Sequence, residues 1–360
     1  MASSRIAVTF GAMTFGGEGK AMSRVHDLET CGKQVPFTSA SLRRSLTDPS
    51  LQKDARCLPK SRSYRSRHCC NVWRGNVGGV LGRGGLCSLL TRQSVADPTP
   101  LQLEWKKRGL VMDTKLYPGP FKGEKISHSR ADLRKYLELQ LKNLQTDSVD
   151  MWYLHAPDRS VPYEETLAGV DELYKEGKFK RFGLSNYAAW EVAEIVGICE
   201  KNGWIKPTAY QQRCIEPELI PCVRKFGLSL YVFNPLGGGL FTGHFKRDTA
   251  DIEKGSRFDP STKQGKAYRA RYWNDSYFEA LELIKPLADK HGLTMPEIAL
   301  RWITHHSELD PKANDNILIG ASSVAHLESN LVDLEKGPLP EEGVSFALCS
   351  FSGLAVVDLA

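Results

Sequence analysis

The sequence predicts an α/β fold of parallel strands and intervening helices that closes as a barrel. Two observations carry this. From Leu103 onward, short β-branched or apolar runs alternate with amphipathic helical stretches, the pattern of successive βα units. Each strand candidate also ends in glycine or polar residues, which is where such a barrel gathers its functional groups.

The strand candidates are Leu110–Leu116, Val149–His155, Phe179–Asn186, Thr208–Gln211, Leu228–Asn234 and Asn316–Gly320, with an earlier one near Ile6–Met13. Seven are visible where a closed barrel takes eight, and the missing one belongs between the first strand and Leu110. Helix signals fall between them. Ser129 followed by Asp132 is a capping-box-like start, after which Leu133, Leu137, Leu141 and Leu144 share one face. Asn186 is the expected N-cap of a helix running past Trp190 and Ile195 to Cys199, with Gly203 near its end. Two further helices are predicted over about Ser276–Lys290 and Met295–His305.

At 360 residues the chain can bury a large core. It contains no apolar run approaching the ~18 residues of a membrane span, and Met1–Phe10 lacks the basic start and apolar block of a secretory signal. A cytoplasmic protein without a membrane partner is expected. Nine cysteines at irregular spacings form neither a disulfide framework nor a repeated metal-binding pattern, so no metal is expected.

The net charge of +6 is unevenly placed. Val35–Gln102 holds nine Arg, two Lys, three Asp and no Glu, a sum of +8, so the rest of the chain sums to −2. Four cysteines fall in the same block: Cys57, Cys69, Cys70 and Cys87. A basic Ser/Arg-rich block can be a nucleic-acid arm, but this one is broken by Pro and Gly and shows no aromatic-basic interleaving. No nucleic-acid partner is expected from it.

The strand ends supply the candidate chemistry. They are Gly11 to Gly16; Asp113-Thr114-Lys115; Tyr153-Leu154-His155; Ser185-Asn186; Tyr210-Gln211; Asn234-Pro235-Leu236 with Gly237, Gly238 and Gly239; and Gly320-Ala321-Ser322-Ser323. A lone lysine at a strand end is usually solvated, a lone histidine usually structural, and Ser-Asn before a helix often only a cap. Convergence of all of them on one face is what builds a pocket.

In order along the chain, several motifs together resemble the aldo-keto reductases. They are Leu184-Ser185-Asn186-Tyr187 with Trp190-Glu191, the Tyr-Leu-His at 153–155, Asn234-Pro235-Leu236 with its glycines, and Gly320 through Asn330. His155-Ala156-Pro157-Asp158, Glu164-Glu165-Thr166 and Glu176-Gly177-Lys178 are similar to the aflatoxin-aldehyde-reductase branch. The resemblance covers residues 5–34 and about 103–340. It implies a (β/α)8 TIM barrel and NADPH-dependent reduction of small-molecule aldehydes or ketones to alcohols by hydride transfer; it allows a homodimer. By position, Lys115 is the lysine that lowers the pKa of the proton-donating tyrosine, and His155 the histidine that orients the carbonyl. Ser185, Asn186 and Gln211 would hold the nicotinamide carboxamide, and Phe233 would stack on its ring. Asn234, Pro235, Leu236, Gly238, Gly243 and Arg257 would line the phosphates. Gly320, Ser322, Ser323 and Asn330 would hold the adenosine end, with both serines near the 2′-phosphate.

The family's aspartate and tyrosine belong to a D-T-A-x-x-Y motif ending the second strand, which is absent from this sequence. Codons chosen for Arg67–Trp73 and read one nucleotide later give D-T-A-A-M-Y, and the same shift over Asp54–Gly82 gives a fluent family sequence. The flanking Val35–Gln52 and roughly Arg83–Gln102 then read as retained introns, each ending in Leu-Gln. The expected organisation is a barrel start at 1–34, an insertion without regular structure at 35–102 replacing the second βα unit, the rest of the barrel at 103–342, and a tail at 343–360 that displaces the C-terminal helix. Arg213-Cys214 also runs directly into Ile215-Glu216-Pro217 where the family has a longer stretch, and His244 stands where relatives have a lysine. Catalysis by this chain is therefore expected to be impaired; the alternative is a non-catalytic NADPH-binding or regulatory barrel.

Overall fold

The computed structural model describes residues 6–10, 111–121, 124–212 and 218–341. Its centre is a seven-stranded parallel sheet made of β1 (Ala7–Phe10), β2 (Asp113–Leu116), β5 (Val149–Leu154), β6 (Phe179–Ser185), β7 (Pro207–Gln212), β8 (Ser229–Phe233) and β9 (Asn316–Ile319). A short antiparallel hairpin, β3 (Gly119–Phe121) with β4 (Glu124–Ile126), follows β2. The sheet order is β1-β9-β8-β7-β6-β5-β2, so from β2 to β9 spatial order follows chain order. The eighth-strand position, the insertion at 35–102, the 213–217 junction and the tail at 343–360 lie outside the described residues.

The two-residue period of each strand sorts its side chains into two clusters. Trp152, Leu154, Phe182, Leu184, Tyr210, Leu230, Val232, Ile317 and Ile319 belong to the main core beneath the helices. The alternate residues Met151, Tyr153, Ala209, Tyr231 and Leu318 form a separate buried cluster with Phe233 against it. That cluster joins side chains from β5, β7, β8 and β9, which a flat sheet would hold apart. The sheet is therefore curled, with this cluster on its concave face, as in a barrel.

Helices cover the convex face: α1 (Arg130–Asn143), α2 (Tyr163–Lys175), α3 (Ala189–Asn202), α4 (Leu219–Lys225), and later α7 (Met295–His305) and α8 (Val324–Glu335). Ser129 caps α1, its hydroxyl accepting from the Asp132 N–H, and Leu133, Leu137, Leu141 and Leu144 are buried as their spacing predicts. Gly203 closes α3 in the left-handed conformation at φ 67°. The start of α3 differs from expectation. Ala188 is its N-cap, and the carboxylate of Glu191 accepts from the Ala188 N–H at 2.7 Å. Asn186 instead adopts φ 62° two residues earlier, a left-handed turn that asparagine tolerates better than most residues.

Between β8 and β9 the chain makes α5 (Lys263–Tyr272) and α6 (Asp275–His291), which with α7 enclose a second apolar cluster including Leu240, Phe258, Phe278, Ile284 and Ile298. Among the described residues no helix is long and apolar enough to cross a membrane.

One buried carboxylate ties the last strand in place. Asp315, immediately before β9, pairs with Arg224 of α4 and accepts from the backbone N–H groups of Leu230 (2.7 Å) and Asp310 (2.8 Å). Removing one partner of such a pair strands the other charge and two backbone donors. Asp315→Ala is expected to lower unfolding free energy by about 3 kcal/mol, read as a reduced urea midpoint. An unchanged midpoint would show that the pair is already loosened in solution.

Candidate active site at the strand ends

Lys115 lies on the concave face, in register with Tyr153, which aligns with Gly183, which aligns with Ala209. Gly183 is required there. A Cβ on it would lie 2.4 Å from the Tyr153 ring, so any larger residue displaces the tyrosine. One level toward the strand ends, Ser185, Gln211 and Tyr231 align. Across the concave face, Lys115 Nζ donates to Gln211 Oε1 at 2.5 Å, with the lysine only 7% exposed. From behind, Gln140 of α1 donates to the Lys115 carbonyl (3.1 Å) and accepts from the Trp152 indole (3.3 Å), fixing the strand at that residue. Asp113 is buried beside it, and its Oδ1 accepts from the Met151 N–H at 3.2 Å.

His155 sits just past β5. Its N–H donates to the Leu116 carbonyl at 2.8 Å, and its ring stands edge-on to Tyr117 with centroids 5.3 Å apart. The left-handed turn at Asn186 aims that side chain back toward β5. Its Nδ2 donates to the His155 carbonyl (2.8 Å) and to Ser185 Oγ (2.9 Å). Lys115 with Gln211 and Asn186 with His155 and Ser185 thus form two hydrogen-bonded sets, side by side where Ser185 pairs in register with Gln211.

Sequence reading missed a buried contact between two loops beside these sets, made by His128 and Asp158. His128 is 1% exposed. Its backbone N–H donates to Asp158 Oδ2 at 2.8 Å, and its carbonyl accepts from Thr166 Oγ1 at 3.1 Å. Burial pushes the His128 ring down to about 4, against the pull of Asp158 upward, so the ring is neutral near pH 7. For the Asp158 carboxyl, burial acts upward, but hydrogen bonds from Ser160 and from the His128 N–H outweigh it and lower the pKa. A histidine two residues into a loop, outside any recognisable spacing, gave no signal.

A second group forms after β8, which ends at the half-buried Phe233. Asn234 takes φ 64°, followed through Pro235 and Leu236 by Gly237, Gly238 and Gly239 at φ 56°, 72° and 104°; Gly243 closes the turn at 76°. Asn234 Oδ1 accepts from the Gly238 N–H (2.8 Å), and its Nδ2 donates to the Tyr272 hydroxyl (2.6 Å). The Tyr268 ring lies 2.5 Å from where a Gly238 Cβ would stand, and Tyr268 accepts from Arg257 Nη1 at 3.1 Å. Asn234, Gly238 and Arg257 are thereby interlocked. A third group sits where β9 leads into α8. Gly320 is exposed, Ser322 Oγ lies 3.0 Å from His326 Nδ1, Ser323 caps α8 by accepting from the His326 N–H, and Asn330 is buried two turns on. Each group keeps its own hydrogen bonds. His244 is exposed, and no cluster of three or more metal-ligating side chains occurs among the described residues.

A curled parallel sheet whose lysine, histidine, amides and glycine turn gather at the carboxyl ends of its strands has the build of a barrel enzyme. The chain belongs to the aldo/keto reductase family, whose model matches residues 98–346. It is 50% identical over 247 residues to an aldo-keto reductase of Pseudocercospora fijiensis, covering 67% of this chain and 83% of that one. It is 48% identical over 254 residues to aldo-keto reductase pigE of Monascus ruber (67% and 74%). Against aflatoxin B1 aldehyde reductase member 2 of Mus musculus, identity is 44% over 230 residues (61% and 62%). The family is one of oxidoreductases that reduce carbonyl groups.

His128 gives the protein a characteristic acid response. Unfolded, its ring titrates near 6.5, and folded near 4, so between these values the unfolded chain binds the extra proton. Its contribution is complete above about pH 6.5 and declines as pH falls toward 4, by about 3 kcal/mol in all. The stability difference between wild type and His128→Leu, followed by urea unfolding, should shrink across that interval. A difference independent of pH would mean the ring is hydrated.

Proposed function

We propose that the protein is an NADPH-dependent reductase of small aldehydes and ketones, acting in the cytoplasm, whose turnover is impaired because the D-T-A-x-x-Y segment is missing from its sequence. The observation that carries the reading is the pairing of Lys115 with Gln211 beside that of Asn186 with His155 and Ser185 at the strand ends.

That donor set suits a primary carboxamide. With Gln211 Oε1 taken by Lys115, the amide hydrogens remain as its donors; with Asn186 Nδ2 taken twice, Oδ1 remains as its acceptor. Ser185 adds a hydroxyl. These residues would hold a nicotinamide, which supplies hydride to a carbonyl carbon when bound. Phe233 would cover the ring. Asn234, Pro235, Leu236, Gly238, Gly243 and Arg257 would take the phosphates, the glycines by leaving backbone N–H groups open to close approach. Gly320, Ser322, Ser323 and Asn330 would take the adenosine end.

In this reading His155 orients the substrate carbonyl by hydrogen bonding, and Lys115 places positive charge where a proton donor would lose its proton. The family's usual donor is the tyrosine that the sequence lacks, so water or a weaker acid must serve. Loss of positioned general acid catalysis costs about 10²–10⁴ in rate. A homodimer is compatible with the reading; a membrane or nucleic-acid partner forms no part of it.

The protein is expected to bind NADPH, seen as energy transfer from protein fluorescence, and to favour it over NADH by a margin that Arg257→Ala reduces. Aldehyde-dependent NADPH oxidation should be slower by about 10²–10⁴ than in a relative carrying the tyrosine. Normal turnover would sink the impairment. Sequencing the mature transcript between the codons for Gly32 and Trp105 tests its origin: splicing out both suspected introns would restore D-T-A-A-M-Y.

A further inference from the structure

We infer that Glu191 is a positioning residue: with Arg159 and Tyr163 it locks the loop after β5 to the loop after β6, and so sets the spacing of His155 from Ser185 and Asn186. The functional consequence rests on the cofactor site proposed above; the lock itself rests on side-chain hydrogen bonds alone.

Glu191 is the third residue of α3 and is fully buried. Its carboxylate accepts four hydrogen bonds from three parts of the chain. Oε1 accepts from Arg159 Nε at 2.8 Å and from the Tyr163 hydroxyl at 2.6 Å. Oε2 accepts from Arg159 Nη2 at 3.1 Å and from the Ala188 N–H at 2.7 Å. Arg159 follows His155 by four residues, Tyr163 opens α2, and Ala188 follows Asn186 by two. Nearer the strand ends, Asn186 Nδ2 donates to the His155 carbonyl at 2.8 Å. The two loops are therefore joined twice, once at the candidate site and once behind it, which closes them into a ring. The Tyr163 and Tyr187 rings pack beside it with centroids 6.2 Å apart. Tyr210, the residue before Gln211, adds a further tie by donating its hydroxyl to the Tyr187 carbonyl.

A helix cap alone would need only the Ala188 contact. Arg159 and Tyr163 come from the neighbouring βα unit, and the paired N–H groups of arginine fix the plane of a carboxylate as well as its place. Burial acts to raise the Glu191 pKa, but the bonds from Tyr163, Ala188 and Arg159 outweigh it and lower it, so the group stays ionised near pH 7. Glutamine has the same shape, yet in either orientation its amide nitrogen would face an Arg159 N–H, donor against donor. Glu191→Gln therefore opens the lock without opening a cavity. Asn186 would then lose its angle to the His155 carbonyl, and the nicotinamide end of the site its spacing. The adenosine end, built on β9 and α8, shares none of these contacts and would keep its own.

The experiment compares Glu191→Gln, Arg159→Met and the double variant with wild type in the full chain, by two readouts. The Arg159 side chain is 63% exposed, so Arg159→Met tests the lock in a folded protein should Glu191→Gln fail to fold. The Asn186 side-chain amide protons report its contact with His155. They should exchange about tenfold faster in each single variant, the scale of one buried hydrogen bond, and no faster in the double variant. NADPH affinity should weaken about tenfold in each, whereas 2′,5′-ADP, which carries phosphate charge but lacks the nicotinamide, should bind as before. Unchanged exchange at the Asn186 amide overturns the lock. So do additive effects in the double variant, which mean that the two residues act apart. Equal weakening for both ligands also overturns it, since that is a change of field or a general loss of structure. If wild type binds neither ligand, the cofactor reading fails, and the Asn186 amide still decides the lock.

Discussion

The ammonium of Lys115 is carried into the concave interior of a curled sheet, and the surrounding structure is arranged to keep it there. A buried charge is tolerated only when its hydrogen bonds are met. Gln211 reaches it from β7, two strands beyond its neighbour β5. The contact is possible because Gly183 leaves room for the Tyr153 ring between them and because the sheet bends enough to bring β2 opposite β7. Gln140, Trp152 and Asp113 fix the strand from the helix side and from the next strand. Curvature, the missing side chain at Gly183 and the amide ladder behind Lys115 are thus conditions of one interaction.

The same economy appears at the loops. Asn186 spends its amide hydrogens on the two preceding elements, and Asn234 uses both ends of its amide to set the glycine turn and to hold Tyr272. Both asparagines sit at positive φ, where their side chains can satisfy backbone that has left the strand. The loops are shaped by their first residue, and the functional atoms are placed by consequence.

Much of this was legible in the sequence because it repeats. Strand positions follow from short apolar runs, and the observed bounds differ from expectation by one or a few residues at their ends, as hydrogen-bonding limits rather than composition decide them. Lys115, His155, Ser185, Asn186 and Gln211 were visible because each closes a strand. What escaped was non-periodic. Asn186 has the composition of a helix cap, but Glu191 caps the helix from three residues inside, leaving Asn186 free to turn. His128 and Asp158 are thirty residues apart and meet only because two βα loops are adjacent in space. The pairing of Asp315 with Arg224, across 91 residues, was hidden for the same reason.

The order of strands has a consequence for how much change the chain can absorb. β1 is not paired with β2, the next strand among the described residues; it pairs with β9, with Ala7 against Asn316 and Phe10 against Ile319. Leaving aside the β3–β4 hairpin, each sheet strand from β5 to β9 docks on the sheet strand before it, so that part can assemble in the order it is made. The first strand must return from a distance of some three hundred residues whatever lies behind it. The entropy of such a closure grows only with the logarithm of its length, about 0.6 kcal/mol for each doubling. Several dozen residues, were they added between β1 and β2, would leave the separation from β1 to β9 almost unchanged on that scale. The join between β1 and β9 is therefore a place where this architecture is forgiving of extra chain.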